Sequence, residues 1–382
     1  MKFQIVDPIT KIRSLAGVAE RLGTSQATLK FKSKLHDDYL RMNIEMADHK
    51  KAIDMISEMA KTNHDLTAIG HRVVHGGDIF TESVKIDARV KTLIKSLHSL
   101  APLHNPNNLI GIELLESQFS DLPQVAVFDS TFHVKTLPEK AFRYAIPEDW
   151  YVDHKVRRYG FHGTSHMYVA NEFARMIKKP LNELSLITAH LGNGCSVCAI
   201  KNGKSVDTSM GFSPLEGLVM GTRSGDIDPS IVAYMAEKLK CSADEILANL
   251  RSKSGLLAIA GVQDSRDIEQ LFFEGDKRAE LAIQMFCYRI AKYLASYVVP
   301  LEKIPDGIIF TGGIGERSPL KRKFIIDLLK PLGFKLDQAK NEKSEATISS
   351  YDSRGAISVI STDEELVIAQ ETLKVATNVD IK

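Results

Sequence analysis

The first half of the chain contains short apolar runs broken by polar turns, followed by a long segment with helical spacing. FQIV and IRSLAG predict two strands joined by the turn DPITK, and ATLKFKSKL alternates as a third strand would. A helix is predicted near residues 43–62. AIGHRVV and QVAVF then predict two buried strands.

The second half repeats the same kinds of segment. SLITAHL, CSVCAI and SVDTS predict strands, the first two joined by the loop GNG, while Asn202 and Gly203 suit the positive φ angles of a hairpin turn. GIIFTGG and AISVIS predict later strands, with helices near 277–298 and 319–331. A last helix is predicted at STDEEL, where Thr362 and Glu365 have capping-box spacing.

The two halves share a weak internal duplication within an α/β pattern. The second half begins strand, glycine loop, strand, turn, strand, whereas the first begins directly at strand, turn, strand. If the halves are related, one strand and one glycine loop are missing before Met1.

Composition excludes several classes of protein. The 382 residues, 44% of them hydrophobic and 25% charged, predict a soluble globular chain of two domains. The net charge of +1 gives no electrostatic footprint for nucleic acid or an anionic membrane. No apolar run approaches a membrane span, and the start lacks the apolar core of a signal peptide, so we expect a cytoplasmic protein.

Four cysteines are too few for a disulfide framework in a chain of this length. Cys195 and Cys198 form a CxxC motif, a spacing that is compatible with zinc binding or redox chemistry. No second CxxC or suitably spaced histidine pair accompanies it, and CSVCAI has the pattern of a strand, so core cysteines are the favoured interpretation.

The segment MGTRSGDIDPS, residues 220–230, places Arg223 between two glycines and close before Asp226 and Asp228. A cation on backbone that can approach a ligand closely suits a phosphoryl group or a carboxylate. Its spacing alone favours a polar turn before a helix at Pro229.

Three further motifs carry polar side chains at strand ends. GHRVVHGG places Arg72 on or just after a strand, and VFDSTFH ends an apolar strand with Asp129, where α/β proteins present ligand-binding groups. An ion pair and a cap are the structural alternatives. YGFHGTSH carries His162 and His166 four residues apart, a spacing also compatible with metal ligation, but no acidic third ligand lies beside them.

Two glycine loops follow predicted strands, AHLGNGCS at 189–196 and FTGGIGE at 310–316. Backbone N–H groups in such loops can cradle phosphate oxygens, and the second loop precedes a helix. Neither a dinucleotide fingerprint nor a Walker loop is present. Two such loops on a duplicated α/β frame suggest the nucleotide cleft of actin-like ATPases and sugar kinases.

The order and spacing of HRVVHGG, APLHNP, VAVFDSTFH, YGFHGTSH, AHLGNG, DTSMGFSPLEGLVMGTRSGDIDP, SGLLAIAG, FTGGIGE and STDEELVIAQ resemble the acetate kinases, from about residue 68 to 372. The resemblance implies two related actin-like, ribonuclease H-like domains with mixed sheets flanked by helices and an interdomain cleft. It places the domains at 1–130 plus 364–382 and at 131–363, the second binding nucleotide. It also implies a homodimer and reversible transfer between ATP and acetate, giving acetyl phosphate and ADP, with magnesium or alternatively manganese.

Roles follow from the resemblance residue by residue. Arg72 matches the arginine that binds the carboxyl substrate, Asp129 the catalytic aspartate, His162 the histidine that stabilises the transition state and Arg223 the arginine on the transferring phosphoryl group. Glu364 matches the magnesium-associated glutamate, which leaves Glu365 as the capping residue. The implied nucleotide-binding residues are Lys2, His190, Leu191, Gly192, Asn193, Gly194, Asp264, Ser265, Arg266, Gly312, Gly313, Ile314, Gly315 and Glu316, although VQDSRD departs from the usual SSDxRD.

The start of the chain departs from the family pattern. Acetate kinases open with a strand and an NxGSSSxK loop, of which Lys2 would be the last residue. We therefore expect either an incomplete start or a degenerate, noncatalytic nucleotide-binding relative. A kinase for propionate or butyrate is the remaining alternative, distinguished by the size of the acyl pocket.

Overall fold

A computed structural model describes residues 1–33, 38–63, 65–102 and 104–377. The chain divides into two compact units. The first unit comprises Met1–Thr131 and Asp363–Lys382, and the second comprises Phe132–Thr362. The chain therefore leaves the first unit once and returns to it for its last helix.

The first unit opens with a four-stranded antiparallel meander. Its strands are β1 (Lys2–Val6), β2 (Arg13–Glu20), β3 (Thr28–Ser33) and β4 (Leu40–Asn43), paired in chain order, and helix α1 (His49–Asn63) follows. One buried core cluster contains Ala19, Leu29, Ile44 and Ala52. Leu15 is also buried. Strand β4 was not predicted: Leu40 and Met42 alternate with Arg41 and Asn43, but the run is only four residues long and all four side chains are exposed. The end of the predicted third strand, residues 34 and 35, lies outside the described residues.

A second, three-stranded sheet follows in the first unit. Its strands are β5 (Ile69–Val73), β6 (Val84–Lys85) and β7 (Gln124–Phe128), and its helices are α2 (Ala88–Ser96) and α3 (Asn105–Gln118). The order is β5-β7-β6, with β5 parallel and β6 antiparallel to β7. All five residues of β7 are buried, as predicted. Because β5 and β7 are parallel, their carboxyl ends lie at one edge of the sheet.

The second unit is built on a five-stranded mixed sheet. Four helices precede the sheet and five strands form it: α4 (Thr131–Val134), α5 (Glu139–Phe142), α6 (Glu148–Val152), α7 (Gly163–Met176), β8 (Ser185–Leu191), β9 (Cys195–Lys201), β10 (Lys204–Thr208), β11 (Gly307–Thr311) and β12 (Ala356–Val359). The order is β10-β9-β8-β11-β12, with β8, β11 and β12 parallel and β9 antiparallel to both neighbours. Asn202 and Gly203 have φ angles of 55° and 77°, so the predicted hairpin turn is confirmed.

The segment between β10 and β12 is described throughout and contains nine helices. They are α8 (Ser230–Leu239), α9 (Ala243–Ser252), α10 (Gly255–Ala260), α11 (Ser265–Phe273), α12 (Lys277–Ser296), α13 (Val298–Leu301), α14 (Gly312–Arg317), α15 (Pro319–Leu328) and α16 (Gln338–Glu342). Helix α12 buries Ile283, Phe286 and Ile290 and contacts α10, α11 and α15. The loop FTGGIGE differs from the prediction, because α14 begins within the glycine run at Gly312 rather than after it.

The last helix, α17 (Glu364–Thr377), returns to the first unit and contacts β1, β5 and β7. The predicted capping box of Thr362 and Glu365 is wrong by one residue. Asp363 caps the helix, its Oδ1 accepting from the N–H of Leu366 at 3.2 Å. A carboxylate one residue later in the chain satisfies an N–H of the first turn and so fixes the start of the helix.

The mixed sheets flanked by helices agree with the predicted α/β fold class. No helix among the described residues is long and apolar enough to cross a membrane.

Cys195 and Cys198 lie on β9 three positions apart, so their side chains point to opposite faces of the sheet. In the described part of the chain no group of three or more His, Cys, Asp or Glu residues could hold a metal ion. Both thiols are buried, as the core interpretation predicts.

The thiols should differ sharply in reactivity. Cys195, Cys198 and Cys287 are buried, and burial raises the pKa of Cys195 and of Cys287 to about 12. Cys241 is half-buried. Because the thiolate is the reactive form, we expect Ellman's reagent to modify one thiol rapidly in the folded protein and all four in denaturant. Rapid modification of two or more thiols in the folded protein would contradict this burial pattern.

Candidate functional site

Arg72 and Asp129 form a bidentate pair at the carboxyl ends of β5 and β7. Parallel pairing places Arg72 beside Val127, two residues before Asp129. The Arg72 Nε donates to Asp129 Oδ1 at 2.9 Å and Nη2 donates to Oδ2 at 2.5 Å. The Asp129 side chain is 1% exposed, whereas that of Arg72 is 46% exposed. The buried carboxylate thus fixes the orientation of an arginine whose other edge remains accessible.

The accessible edge of Arg72 suits a second carboxylate. A guanidinium has five N–H donors, and the fork to Asp129 uses two of them. Asp129, followed by the carboxylates of Glu364 and Glu365 at the start of α17, raises the pKa of Arg72. Arg72 therefore stays cationic, and Glu364 lies near enough to it for an electrostatic interaction.

His162 lies at the start of α7 in a strained backbone conformation. Its φ angle is 58°, in the left-handed region that residues other than glycine rarely adopt. Its ring stacks on that of His190 with centroids 4.3 Å apart, and its Nδ1 lies 2.9 Å from Ser196 Oγ. Both contacts come from strands, His190 from β8 and Ser196 from β9, so the sheet fixes the ring. His162 Nδ1 and His166 Nε2 both lie within hydrogen-bond distance of Ser196 Oγ, so these two nitrogens share a serine hydroxyl.

Arg223 lies beside His162 at the glycine loop after β8. A Cβ at Gly194 would lie 3.4 Å from His162 Nε2 and 3.6 Å from Arg223 Nη1. His162 Nε2 and Arg223 Nη1 therefore both lie beside the position that a side chain at residue 194 would take, and glycine leaves that position open to a ligand atom. Arg223 Nη1 donates to the Pro214 carbonyl at 3.1 Å. Burial lowers the pKa of Arg223, although a guanidinium remains charged at neutral pH.

The backbone around Arg223 is held from both sides. Gly225 has a φ angle of 69° and lies so close to Leu218 that a Cβ would be 2.4 Å from that carbonyl oxygen. Asp226 Oδ1 accepts from the Gly217 N–H at 2.7 Å, and Asp226 Oδ2 accepts from the Tyr293 hydroxyl at 2.7 Å. The two interpretations of residues 220–230, a polar turn and an anion site, are therefore compatible, because the turn holds Arg223 in place.

A cavity of ≈ 400 Å³ opens in the second unit between the two glycine loops. Seven of the predicted nucleotide residues line it: Gly192, Asn193, Asp264, Ser265, Arg266, Gly313 and Ile314. Sequence reasoning missed five others, namely Gly221, Gln263, Glu269, Arg317 and Ser318. Gly221 and Gln263 lie within the segments MGTRSGDIDPS and VQDSRD, whereas Glu269 lies one helical turn after Ser265 and belongs to no motif. The Arg266 side chain folds back on Asp264 in a bidentate pair, which lowers the pKa of Asp264 to about 2.

The other predicted nucleotide residues support or flank this cavity. Leu191 is buried, and a Cβ at Gly312 would lie 2.8 Å from its carbonyl oxygen, so the two loops touch. Glu316 Oε1 accepts from the Gly312 N–H at 3.0 Å. His190 and Gly194 adjoin His162, and Gly315 is buried in α14. Lys2 instead lies in the first unit, where its Nζ is 3.8 Å from Glu365 Oε1.

Two buried histidines should make the fold sensitive to acid. Burial lowers the pKa of His133 to about 4 and that of His166 well below 6.5. In the unfolded chain both rings take up a proton near pH 6.5, so the folded pKa is the lower one and stability falls as pH falls below about 6.5. His133 alone should cost about 2 kcal/mol of unfolding free energy between pH 7 and pH 5, and His166 adds to this.

Urea unfolding at pH 7 and pH 5 measures this loss. The His133→Asn variant should show a smaller decrease between the two pH values, whereas a variant at the exposed His154, His154→Gln, should match the wild type. Equal decreases in all three proteins would contradict the assignment to buried histidines.

Comparison with known proteins agrees with this arrangement. The profile of the Acetokinase family matches residues 1–370. The chain is 45% identical to an acetate kinase of Thermoanaerobacterium thermosaccharolyticum, with 98% of this chain and 96% of the relative covered. A propionate kinase structure from Francisella tularensis superposes with a TM-score of 0.94 at 45% identity, and the acetate kinase of Porphyromonas gingivalis with 0.90 at 37%, each covering 98% of this chain and 96% of its own. This chain therefore belongs to the acetokinase family of kinases, which transfer a phosphoryl group from ATP to a carboxylate.

Proposed function

We propose that this protein catalyses the reversible transfer of a phosphoryl group between ATP and acetate, giving ADP and acetyl phosphate. The observation that carries the proposal is the convergence of Arg223 and His162 on Gly194, beside the loop residues that line the cavity of the second unit. The barrier to phosphoryl transfer lies largely in aligning anions and stabilising charge on the equatorial oxygens. A cation and an imidazole at a phosphate loop suit that task.

The carboxylate substrate is assigned to Arg72. Its free edge offers a bidentate fork of the kind that matches a carboxylate. Acetate, with a pKa near 4 to 5 like that of side-chain carboxylates, is ionised at pH 7 and needs no strong general base. Asp129 therefore acts by holding Arg72 and by orienting the reacting groups rather than by removing a proton from the substrate.

The nucleotide is assigned to the cavity of the second unit. Its walls combine the backbone of both glycine loops with the polar groups of Asp264, Ser265 and Arg266. Glycine-rich backbone suits the phosphates, and the polar side chains suit the ribose and base. Arg223 and His162 would then stabilise the phosphoryl group as it moves.

Glu364 is the residue that would hold Mg²⁺ in the first unit. Carboxylate oxygen is a hard ligand that suits this ion, and nucleotide-bound Mg²⁺ needs only one or two protein carboxylates, the rest of its shell being water and phosphate. When bound, Mg²⁺ supplies charge neutralisation on the phosphates.

An acetate-dependent assay tests the function. Purified protein with ATP, MgCl₂ and acetate should form ADP and a product that hydroxylamine traps as the hydroxamate, and the reverse reaction should make ATP from acetyl phosphate and ADP. Binding of ATP with no turnover in either direction would favour the noncatalytic alternative.

A propionate kinase is the second candidate function, because the Francisella structure is as similar in sequence as the acetate kinases are. We propose acetate as the preferred acid. Comparing kcat/KM for acetate, propionate and butyrate decides between them, and a higher value for propionate than for acetate would reverse the assignment.

We also propose that the protein is a cytoplasmic homodimer. Helix α12 presents Leu281, Met285 and Tyr288 on one face with 50%, 42% and 57% exposure, and α8 exposes Ile231 and Tyr234. Apolar side chains at this spacing suit an interface with a second copy. Light scattering should give a dimer mass, and Met285→Asp should shift it towards the 42.4 kDa monomer. A wild-type monomer at micromolar concentration would reject the dimer.

A further inference from the structure

A line of buried hydroxyl and imidazole groups leads from the sheet of the second unit to His162. Thr188 Oγ1 lies 2.7 Å from His166 Nδ1, His166 Nε2 lies 2.8 Å from Ser196 Oγ, and Ser196 Oγ lies 2.9 Å from His162 Nδ1. Thr188, His166 and Ser196 are each 0% exposed. Water therefore cannot reach these groups to replace one of their hydrogen-bond partners. The direction of each hydrogen bond is decided by the protein groups alone.

The direction of the line follows from counting protons. Ser196 has one hydroxyl proton and two imidazole partners, so it donates to one ring and accepts from the other. His166 is neutral, because burial lowers its pKa, and carries one ring proton. If that proton were on Nδ1, it would be donated to Thr188, and the buried Thr188 hydroxyl would have no acceptor among the described residues. Such an unsatisfied buried donor is costly.

The opposite direction satisfies every group. Thr188 donates to His166 Nδ1, His166 Nε2 donates to Ser196, and Ser196 donates to His162 Nδ1. We propose that Ser196 and His166 are positioning residues that fix neutral His162 as the tautomer protonated on Nε2. That nitrogen is the one beside Gly194 and Arg223, so the relay presents an N–H donor, rather than a lone pair, to the phosphoryl oxygens. The inference rests on the proposed function for its catalytic consequence but not for the tautomer itself.

Nuclear magnetic resonance of the wild-type protein tests the tautomer directly. With ¹⁵N-labelled histidine, long-range ¹H–¹⁵N correlations distinguish the two ring nitrogens, and the signals of His162 are identified by their loss in His162→Gln. At pH 7 and above we expect His162 protonated on Nε2 only. A proton on Nδ1 would overturn the relay, whether or not the enzyme is active.

The Ser196→Ala variant tests the catalytic consequence. We expect kcat to fall about 10-fold, less than the roughly 100-fold or greater loss expected for removing a preorganised donor itself, with little change in KM for ATP or acetate. Ser196→Thr, which keeps the hydroxyl, should recover most of the activity. In a His162→Gln background the added Ser196→Ala change should have less than about a twofold effect, because the two residues act as one unit.

Ser205→Ala provides the matched control. Ser205 is equally buried and its Oγ lies 2.8 Å from His133 Nδ1, but this pair does not include His162. It should lose stability as Ser196→Ala does while keeping kcat near the wild-type value. Equal losses of kcat in both variants, or none in Ser196→Ala, would reduce Ser196 to a packing role. An inactive wild type with the Nε2 tautomer intact would instead contradict the proposed function alone.

Discussion

Replacing Arg223 by alanine is expected to lower kcat by about 100-fold or more, the scale on which enzymes lose one preorganised donor. The reason is geometric and electrostatic. Arg223 Nη1 lies near the open side of Gly194, and the turn that carries it is fixed by Gly225 and Asp226. The donor is therefore in place before the reaction and costs little reorganisation. Steady-state kinetics in both directions measure the loss, which should fall mainly on kcat rather than on KM for acetate.

Two further variants define what the loss means. Arg223→Lys keeps the charge but not the planar fork, so it should recover only part of the activity. Arg175→Ala removes an arginine whose side chain is 73% exposed and paired with Glu172 on α7, and it should leave kcat unchanged. Near-normal turnover by Arg223→Ala would reject the assignment of Arg223 to the phosphoryl group.

Much of the frame could be predicted because its signals are local. The core strands β7, β8 and β9 are buried and apolar along nearly their whole length, and Asn202 with Gly203 specifies a turn by its own φ requirements. Strand β4 was missed because its four residues are all exposed and form no buried apolar run. Leu40 and Met42 alternate with Arg41 and Asn43, but four residues is the shortest alternation that indicates a strand, and the pairing with β3 is a tertiary event.

The site divides in the same way. Arg223 stands out in the sequence because glycines flank it, and Asp129 because it follows a buried strand. Ser196 is one small residue within a strand, and its importance comes from its contact with the His162 ring at the start of α7. Glu269 is similar: it lines the cavity while paired with buried Lys321 from α15, some 50 residues away. Contacts between distant segments are what one sequence cannot display.

The pair of Arg72 and Asp129 should separate stability from catalysis. Arg72→Ala leaves a carboxylate that is 1% exposed without its fork. We expect it to cost about 3 kcal/mol of unfolding free energy, the lower end for a buried pair that loses one partner, since water can enter the place of a half-exposed side chain. It should also raise KM for acetate strongly, because the anion loses its receptor. Asp129→Asn removes the buried charge instead, so it should keep most of the stability and lose kcat.

The double variant decides whether these two effects are independent. Arg72→Ala combined with Asp129→Asn should recover most of the stability lost in Arg72→Ala, because the buried charge that lost the Arg72 fork is no longer present. It should not recover activity, because the carboxylate receptor is still absent. Urea unfolding and kinetics on the same four proteins measure both quantities. A double variant less stable than Arg72→Ala would show that the Asp129 charge does not cause the instability. Near-normal KM for acetate in Arg72→Ala would place the carboxylate substrate on another cation.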